Sequence, residues 1–153
     1  MSASELRRGT ADDAEAVARL TDAAYAGYIP ALGRKPQPMT ADYDAIIRDH
    51  EVWLLHAGER LVAVLVLMIE PDAVLIYSLA VDPGHQRVGH GRRLLAWAEA
   101  RAGAAQRRRV RLYTNERMGR NASWYAAAGY REVKREPYLG SVLVHMEKRL
   151  PQG

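Results

Sequence analysis

One stretch constrains this chain more than any other. An apolar run ending Leu79-Ala80-Val81 meets Asp82-Pro83-Gly84, and Gln86-Arg87-Val88-Gly89-His90-Gly91 then leads into Leu94-Leu95 and a helical pattern. The run reads as a strand, Pro83 and Gly84 turn the chain, and the two glycines fall at the first turn of a helix. Glycine removes the side chain where something must approach the backbone closely. A helix start leaves N–H groups unpaired and adds the positive end of the helix dipole. Together these suit a phosphate or pyrophosphate. No lysine follows the glycines, as a mononucleotide loop requires, and there is no third glycine in a parallel βαβ unit, as a dinucleotide fingerprint requires. A plainer role for the pair, tight packing of helix on strand, stays open at this point.

The rest of the pattern alternates strands and helices around that turn. Leu6-Arg7-Arg8 reads as a short opening strand. Thr10 with Asp13 three residues on signals a helix start, and Val17, Leu20, Ala24 and Tyr28 share one face until Pro30 ends the helix. A proline- and glycine-bearing loop over 31–40 precedes a second helix over 41–49, with Tyr43, Ile46 and Ile47 toward the core. Strands are expected over 51–56, 60–69 and 73–81. A helix over 89–104 buries Leu94, Leu95, Ala98 and Ala102. A strand over 110–113, a helix over 119–128 stopped by Gly129, and closing strands over 130–135 and 142–148 complete the chain, with Pro137 to Gly140 as a loop. The order predicts an α/β (α+β) fold, a central mixed but mainly antiparallel sheet of about seven strands flanked by about four helices.

Composition limits the chemistry. A chain of 153 residues, 48% hydrophobic and 26% charged, is expected to form a single globular domain over 1–153. It has no cysteine, which excludes disulfides, thiolate metal sites and a cysteine nucleophile, and fits a reducing, cytoplasmic setting. No metal site is predicted. The N-terminus lacks a basic region followed by an apolar run, and the longest apolar run, Leu61 to Ile69, is about half the ~20 residues of a membrane span. Neither a secretory signal nor a membrane partner is expected. The net charge of +4 concentrates in Arg87, Arg92 and Arg93 beside the glycines and in Arg107, Arg108, Arg109 and Arg111. A nucleic-acid module built on the second group is a competing reading. It lacks a helix-turn-helix pattern, zinc ligands and interleaved aromatics on strands, so no nucleic-acid partner is expected.

Gln86-x-x-Gly89-x-Gly91 after Leu79-Ala80-Val81 resembles the cofactor motif of the GNAT superfamily of N-acetyltransferases. Asn121-Ala122-Ser123-Trp124-Tyr125-Ala126-Ala127-Ala128-Gly129-Tyr130 resembles that family's second signature, and the element order matches over nearly the whole chain. The resemblance implies acetyl-CoA or a related acyl-CoA as co-substrate. It implies that the N–H groups of Arg87, Val88, Gly89, His90, Gly91 and Arg92, with Gln86 beside them, hold its pyrophosphate. It implies that the edge at Leu79, Ala80 and Val81 pairs with pantetheine as an added strand, with the Val81 N–H polarising the thioester carbonyl. Tyr125 matches the tyrosine that protonates the departing thiolate. A phenol near ~10 against a thiol near ~8.5 needs no large shift for that step. Asn121, one turn before it, would contact pantetheine.

The implied reaction is direct transfer of an acyl group to a primary amine of a small molecule or peptide, and it needs a base, since an amine near ~10.4 is protonated at neutral pH. Many family members carry an acid on the strand before the motif. Ile76-Tyr77-Ser78-Leu79 carries none, and Glu116, after the following strand, is the substitute candidate. His85 also comes into consideration, though its place beside the turn favours a surface role. The acceptor is expected against Tyr25, Tyr28 and Met39, with Pro38 and Tyr43 beside them, and Tyr138 closing the pocket. The missing strand acid also keeps an alternative in view, a non-catalytic acyl-CoA-binding sensor. A homodimer exchanging the final strands around Val142 and Val144 is a further implication of the family.

Overall fold

The structure, a computed structural model, describes residues 6–86 and 88–151. Seven strands form one sheet in the order β1-β2-β3-β4-β5-β7-β6, where β1 is Leu6–Arg8, β2 Glu51–Ala57, β3 Arg60–Ile69, β4 Val74–Val81, β5 Arg109–Asn115, β6 Arg131–Tyr138 and β7 Ser141–Arg149. Every neighbouring pair is antiparallel except β4 and β5. The helices are α1 (Ala14–Tyr25), the short α2 (Ile29–Leu32), α3 (Tyr43–Asp49), α4 (His90–Ala104) and α5 (Asn121–Ala127).

Helices cover both faces. Val17 and Leu20 of α1 and Tyr43 and Ile46 of α3 pack on Val52, Leu54, Val64, Val66 and Ala80. On the other face Leu94, Leu95, Ala98 and Ala102 of α4, with Tyr125 of α5, pack on Leu65, Leu67, Val74, Ile76 and Leu112. Strand β3 therefore reads as an unbroken apolar run, because successive side chains are buried on opposite sides. The four residues predicted as the α4 stripe are those buried there.

Two local expectations are corrected. Pro30 does not end helical structure. It sits in the first turn of α2, where its missing N–H costs nothing, and Gly33 at φ 72° closes that helix. Pro137 and Tyr138 belong to β6, whose pairing with β7 runs on to Tyr138–Ser141, so only Leu139 and Gly140 turn the chain.

The feature that makes a site is a parting of the sheet. Strands β4 and β5 pair only at Val74–Val110 and Leu75–Arg111. Beyond that β5 stays with β7 along its whole length, while β4 stays with β3. The β3–β4 register slips between Val66–Ser78 and Leu67–Ile76, leaving Tyr77 as the extra residue of a bulge. A bulge bends its strand and re-aims the side chains beside it.

Three of the four arginines in the cationic cluster after α4 are occupied by the fold, while Arg108 is exposed. Arg111 holds Glu70 through two hydrogen bonds of 2.7 Å, Arg109 pairs with Glu147 and Asp72, and Arg107 donates to the carbonyls of Glu70 and Ala105. Such side chains tie strands together and are not presented to a phosphate backbone. No helix among the described residues is long and apolar enough to cross a membrane.

Candidate functional site

Where β4 and β5 part, two cavities open and share a wall. The outer cleft, about 850 Å³, runs along Leu79, Ala80 and Val81 to Gln86, Gly89, His90, Gly91 and Arg92. The inner cavity, about 400 Å³, lies between the parted strands under the loop that follows α2. Tyr25, Leu79, Asn121 and Tyr125 line both. A ligand in each would meet at those four residues.

The outer cleft is built from backbone. The Asp82 N–H donates to Val62 O at 2.8 Å, which sets the phase of the β3–β4 ladder after the bulge. By alternation the amides of Ala80 and Ser78 also turn toward β3, while those of Leu79 and Val81 turn toward the open edge. Two side chains already use that edge. The Tyr25 hydroxyl donates to Leu79 O and Gln86 Nε2 donates to Val81 O, each at 3.4 Å. Of the three strand residues expected to meet a ligand, Leu79 and Val81 offer backbone groups and Ala80 offers only its place in the wall.

The glycines have separate jobs. Gly89 is the N-terminal cap of α4 at φ 89°, a conformation that L side chains resist, and nothing lies within 4 Å of where a Cβ would stand. Gly91 has ordinary helical geometry, but a Cβ there would come within 3.2 Å of Trp124 Cζ2. The plainer packing role thus holds for Gly91, and Trp124 in turn lines the cleft. The first helical turn closes when Arg93 N–H reaches Gly89 O at 3.1 Å, so the amides before it point out of the helix. His90 Nδ1 is buried without a hydrogen-bond partner among the described residues, and burial, with Arg93 and His85 nearby, lowers the imidazole pKa. An unpaired buried nitrogen and outward amides at one helix start fit an anionic group with polar oxygens. Arg92 and Arg120 also line this cleft. Val88 is 66% exposed and does not line it, which leaves its backbone alone as a contact. Arg87 lies outside the described residues.

Tyr125 and Asn121 stand one turn apart on α5 at the shared wall. The Tyr125 side chain is buried, packs edge-on to Trp124 at 4.9 Å and to Tyr130 at 5.8 Å, and its hydroxyl makes no hydrogen bond among the described residues. Burial, followed by the nearby Tyr25 and Tyr28, pushes its pKa far above the ordinary phenol value. The phenol therefore stays protonated at neutral pH. Asn121 accepts from the Tyr28 hydroxyl and donates to Thr114 Oγ1, each at 3.4 Å. Tyr28, expected against the acceptor, lines the outer cleft alone.

In the inner cavity, Tyr25 and Tyr138 stand where the sequence suggested, and Pro38 lines it too. Met39 does not line it, and Tyr43 is a core residue whose hydroxyl bonds Pro38 O at 2.6 Å. Tyr77, Tyr113 and Gln37 are the residues that sequence reasoning missed. Burial raises the Tyr77 phenol to about 12 and that of Tyr113 in the same direction. Gln37 joins the loop to the sheet, donating to the Tyr138 hydroxyl at 2.8 Å and accepting from Tyr113 at 3.1 Å.

Glu116 lines neither cavity. Its N–H is held by Val142 O at the end of β5, and its carboxylate faces Arg135 at 3.4 Å. His85 is engaged with Asp82 at 2.9 Å, also outside both cavities. Among the described residues no carboxylate and no imidazole lines the inner cavity.

Residues 48–132, more than half of the chain, match the sequence family described as the acetyltransferase (GNAT) domain. No curated protein matches by sequence. Among solved structures, a GCN5-related N-acetyltransferase from Rhodopseudomonas palustris superposes with a TM-score of 0.79 at 20% identity, over 98% of this chain and 98% of that one. A PaiA N-acetyltransferase from Thermoplasma acidophilum, in complex with coenzyme A, gives 0.79 at 18% identity over 97% and 99%. The ribosomal-protein-S18-alanine N-acetyltransferase from Escherichia coli gives 0.76 at 16% over 97% and 95%. At these identities the likeness is one of fold.

Proposed function

The chain belongs to the GNAT acetyltransferases, and from that premise we propose that it transfers the acetyl group of acetyl-CoA directly to the primary amine of a small molecule. The observation that carries this reading is the wall of Tyr25, Leu79, Asn121 and Tyr125, which a backbone-lined cleft and a side-chain-lined cavity share. Acetyl-CoA supplies an activated thioester. The open edge at Leu79 and Val81 would hold its pantetheine amides, and the start of α4 its pyrophosphate. Leu79 N–H is better placed than Val81 N–H to polarise the thioester carbonyl, because Leu79 lines both spaces and Val81 only the outer one.

In the transfer the amine nitrogen bonds the acyl carbon, the C–S bond breaks with its electron pair on sulfur, sulfur gains a proton and nitrogen loses one. Tyr125 is the donor to sulfur. Burial raises its own pKa, which makes it a weaker acid, and the same dry wall raises that of a thiol beside it, which offsets part of the cost. The amine's proton leaves to water, since no side-chain base stands in the inner cavity among the described residues. The loop latched by Gln37 roofs that cavity, which favours a small acceptor over a chain.

Acetyl-CoA at a hundredfold excess over its Kd should stabilise the protein by about 2.7 kcal/mol. That is a rise in Tm of roughly 5–11 °C for a chain of this size. Thiol release should depend on an added amine, and Tyr125→Phe should lower kcat about 10²-fold or more while the stabilisation by acetyl-CoA persists. No stabilisation at millimolar acetyl-CoA would sink the reading. The lack of a base in the cavity is the one observation that favours a non-catalytic acyl-CoA sensor, and stabilisation without acceptor-dependent thiol release would establish that instead.

A further inference from the structure

The inner cavity has a charge pattern that acyl transfer by itself does not require. Its described wall is aromatic, apolar or neutral polar except at two positions, Arg34 and Lys35. Both lie on the part of the wall that the outer cleft does not share. Neither is in an ion pair among the described residues, whereas Arg101 of α4 and Arg109 and Arg111 of β5 are all paired with carboxylates. Arg34 gives one nitrogen to Leu139 O at 3.1 Å, which pins it over the turn between β6 and β7. Both residues are exposed, so the remaining N–H groups of Arg34 face water and can exchange it for an anion, and a guanidinium fork matches a carboxylate.

This wall discriminates among amines. A polyamine brings two or more positive charges into a space with no carboxylate and with two cations already present, and each extra charge is desolvated without a partner. A monoamine with an anionic group meets the opposite situation. Its amine can lie at Leu79 and Tyr125, its body among residues such as Ile76, Tyr77, Leu112 and Met118, and its anion at Arg34 and Lys35. The volume of about 400 Å³ falls within the ~300–1,000 Å³ of small-molecule sites. We propose that the acceptor is a small aromatic or aliphatic monoamine bearing a carboxylate, which Arg34 and Lys35 hold away from the reacting wall. The proposal rests on the reading of the inner cavity as the acceptor side of an acetyltransferase.

The test pairs amines that differ by the carboxylate alone. 4-(Aminomethyl)benzoate with benzylamine, 6-aminohexanoate with pentylamine, and spermidine as the polycation are each offered with acetyl-CoA, and thiol release is followed. The carboxylated member of a pair should have the higher kcat/KM by about tenfold or more. In Arg34→Gln/Lys35→Gln, which removes both charges but keeps an amide able to donate to Leu139 O, that advantage should disappear. It should do so through a KM raised about tenfold for the amino acid, with kcat and the KM of benzylamine unchanged. Preference for spermidine or the decarboxylated amines overturns the inference and leaves the acetyltransferase reading standing. A protein that acetyl-CoA stabilises but that shows neither turnover of these amino acids nor added stabilisation by 4-(acetamidomethyl)benzoate with CoA also overturns the inference. Failure to bind acetyl-CoA at all removes the reading and the inference together.

Discussion

The two glycines at the start of α4 should respond to the same substitution in opposite ways. Gly89 adopts φ 89° with open space around the missing Cβ, so Gly89→Ala adds strain and no clash. An L-residue in the left-handed region costs about 1–2 kcal/mol, which for a chain of this length lowers Tm by roughly 2–8 °C. Gly89→Asn should lose less than half of that, because asparagine tolerates this conformation. Gly91→Ala has no such strain and gains up to about 1 kcal/mol of helix propensity. Against that, its Cβ meets Trp124 Cζ2 at 3.2 Å and Cη2 at 3.5 Å, an overpacking worth about 1–3 kcal/mol if nothing moves. Trp124 is only partly buried and can give by a few tenths of an ångström, so stability should stay within about 1 kcal/mol of the parent. The movement then carries the indole against the cleft it lines, and CoA affinity should fall.

Urea unfolding of the apo proteins reads the first effect, and the rise in Tm with added CoA reads the second. Gly89→Ala should be the less stable protein, and Gly91→Ala the weaker binder relative to its own stability. A Gly89→Ala protein that unfolds with the parent, or a Gly91→Ala protein that is the less stable of the two, would refute the division. In the first case the left-handed cap would not be what glycine supplies at position 89, and in the second Trp124 would not give way to a Cβ at position 91.

Two other outcomes follow from charges outside the cavities. The Arg7 guanidinium, with the Thr10 N–H, holds the Asp13 carboxyl down to about 2, so its contribution to stability is complete above about pH 4 and is lost as pH falls through 2. Acid unfolding curves of the parent and Asp13→Asn, followed by circular dichroism, should differ above pH 4 and converge below 2. Glu116→Gln should leave kcat within about threefold of the parent across pH 6–9, since Glu116 faces Arg135 outside both cavities; a loss of 10² or more would restore it as the base.

Much of the fold was legible because its signals are local. The α4 stripe, the strand ends around Gly58 and Pro71 and the cap at Gly129 each depend on residues adjacent in the chain. The cofactor side was legible for the same reason: strand, turn and helix start lie within Leu79 to Gly91. The inner cavity was not. Gln37, Tyr77 and Tyr113, which join Tyr25 and Tyr138 there, come from three segments, and nothing in their spacing says that a loop glutamine bonds two tyrosines 76 and 101 residues away. Glu116 was drawn in because β5 was expected to stop at Tyr113. It runs to Asn115, and the Val142 carbonyl then takes the Glu116 N–H and keeps the turn against β7.

The bulge at Tyr77 accounts for more of the site than any single side chain. Strand β4 lies between β3 and β5, and an interior strand in continuous register has both rows of amides paired and nothing to offer a ligand. One extra residue changes that. It shifts the β3 register, bends β4 off β5 beyond Leu75, and turns the Leu79 and Val81 N–H groups toward the opening. An open edge on the outside of a sheet invites pairing with other chains. Here β5, α5 and the α2 loop flank the opening, so access is limited to a ligand narrow enough to enter as a strand. The parting that admits one ligand also creates the cavity for the other, because the side chains of β4 and β5 that would have packed together now face each other across it. Cofactor edge and acceptor cavity are two consequences of one irregularity, which is why they share Leu79.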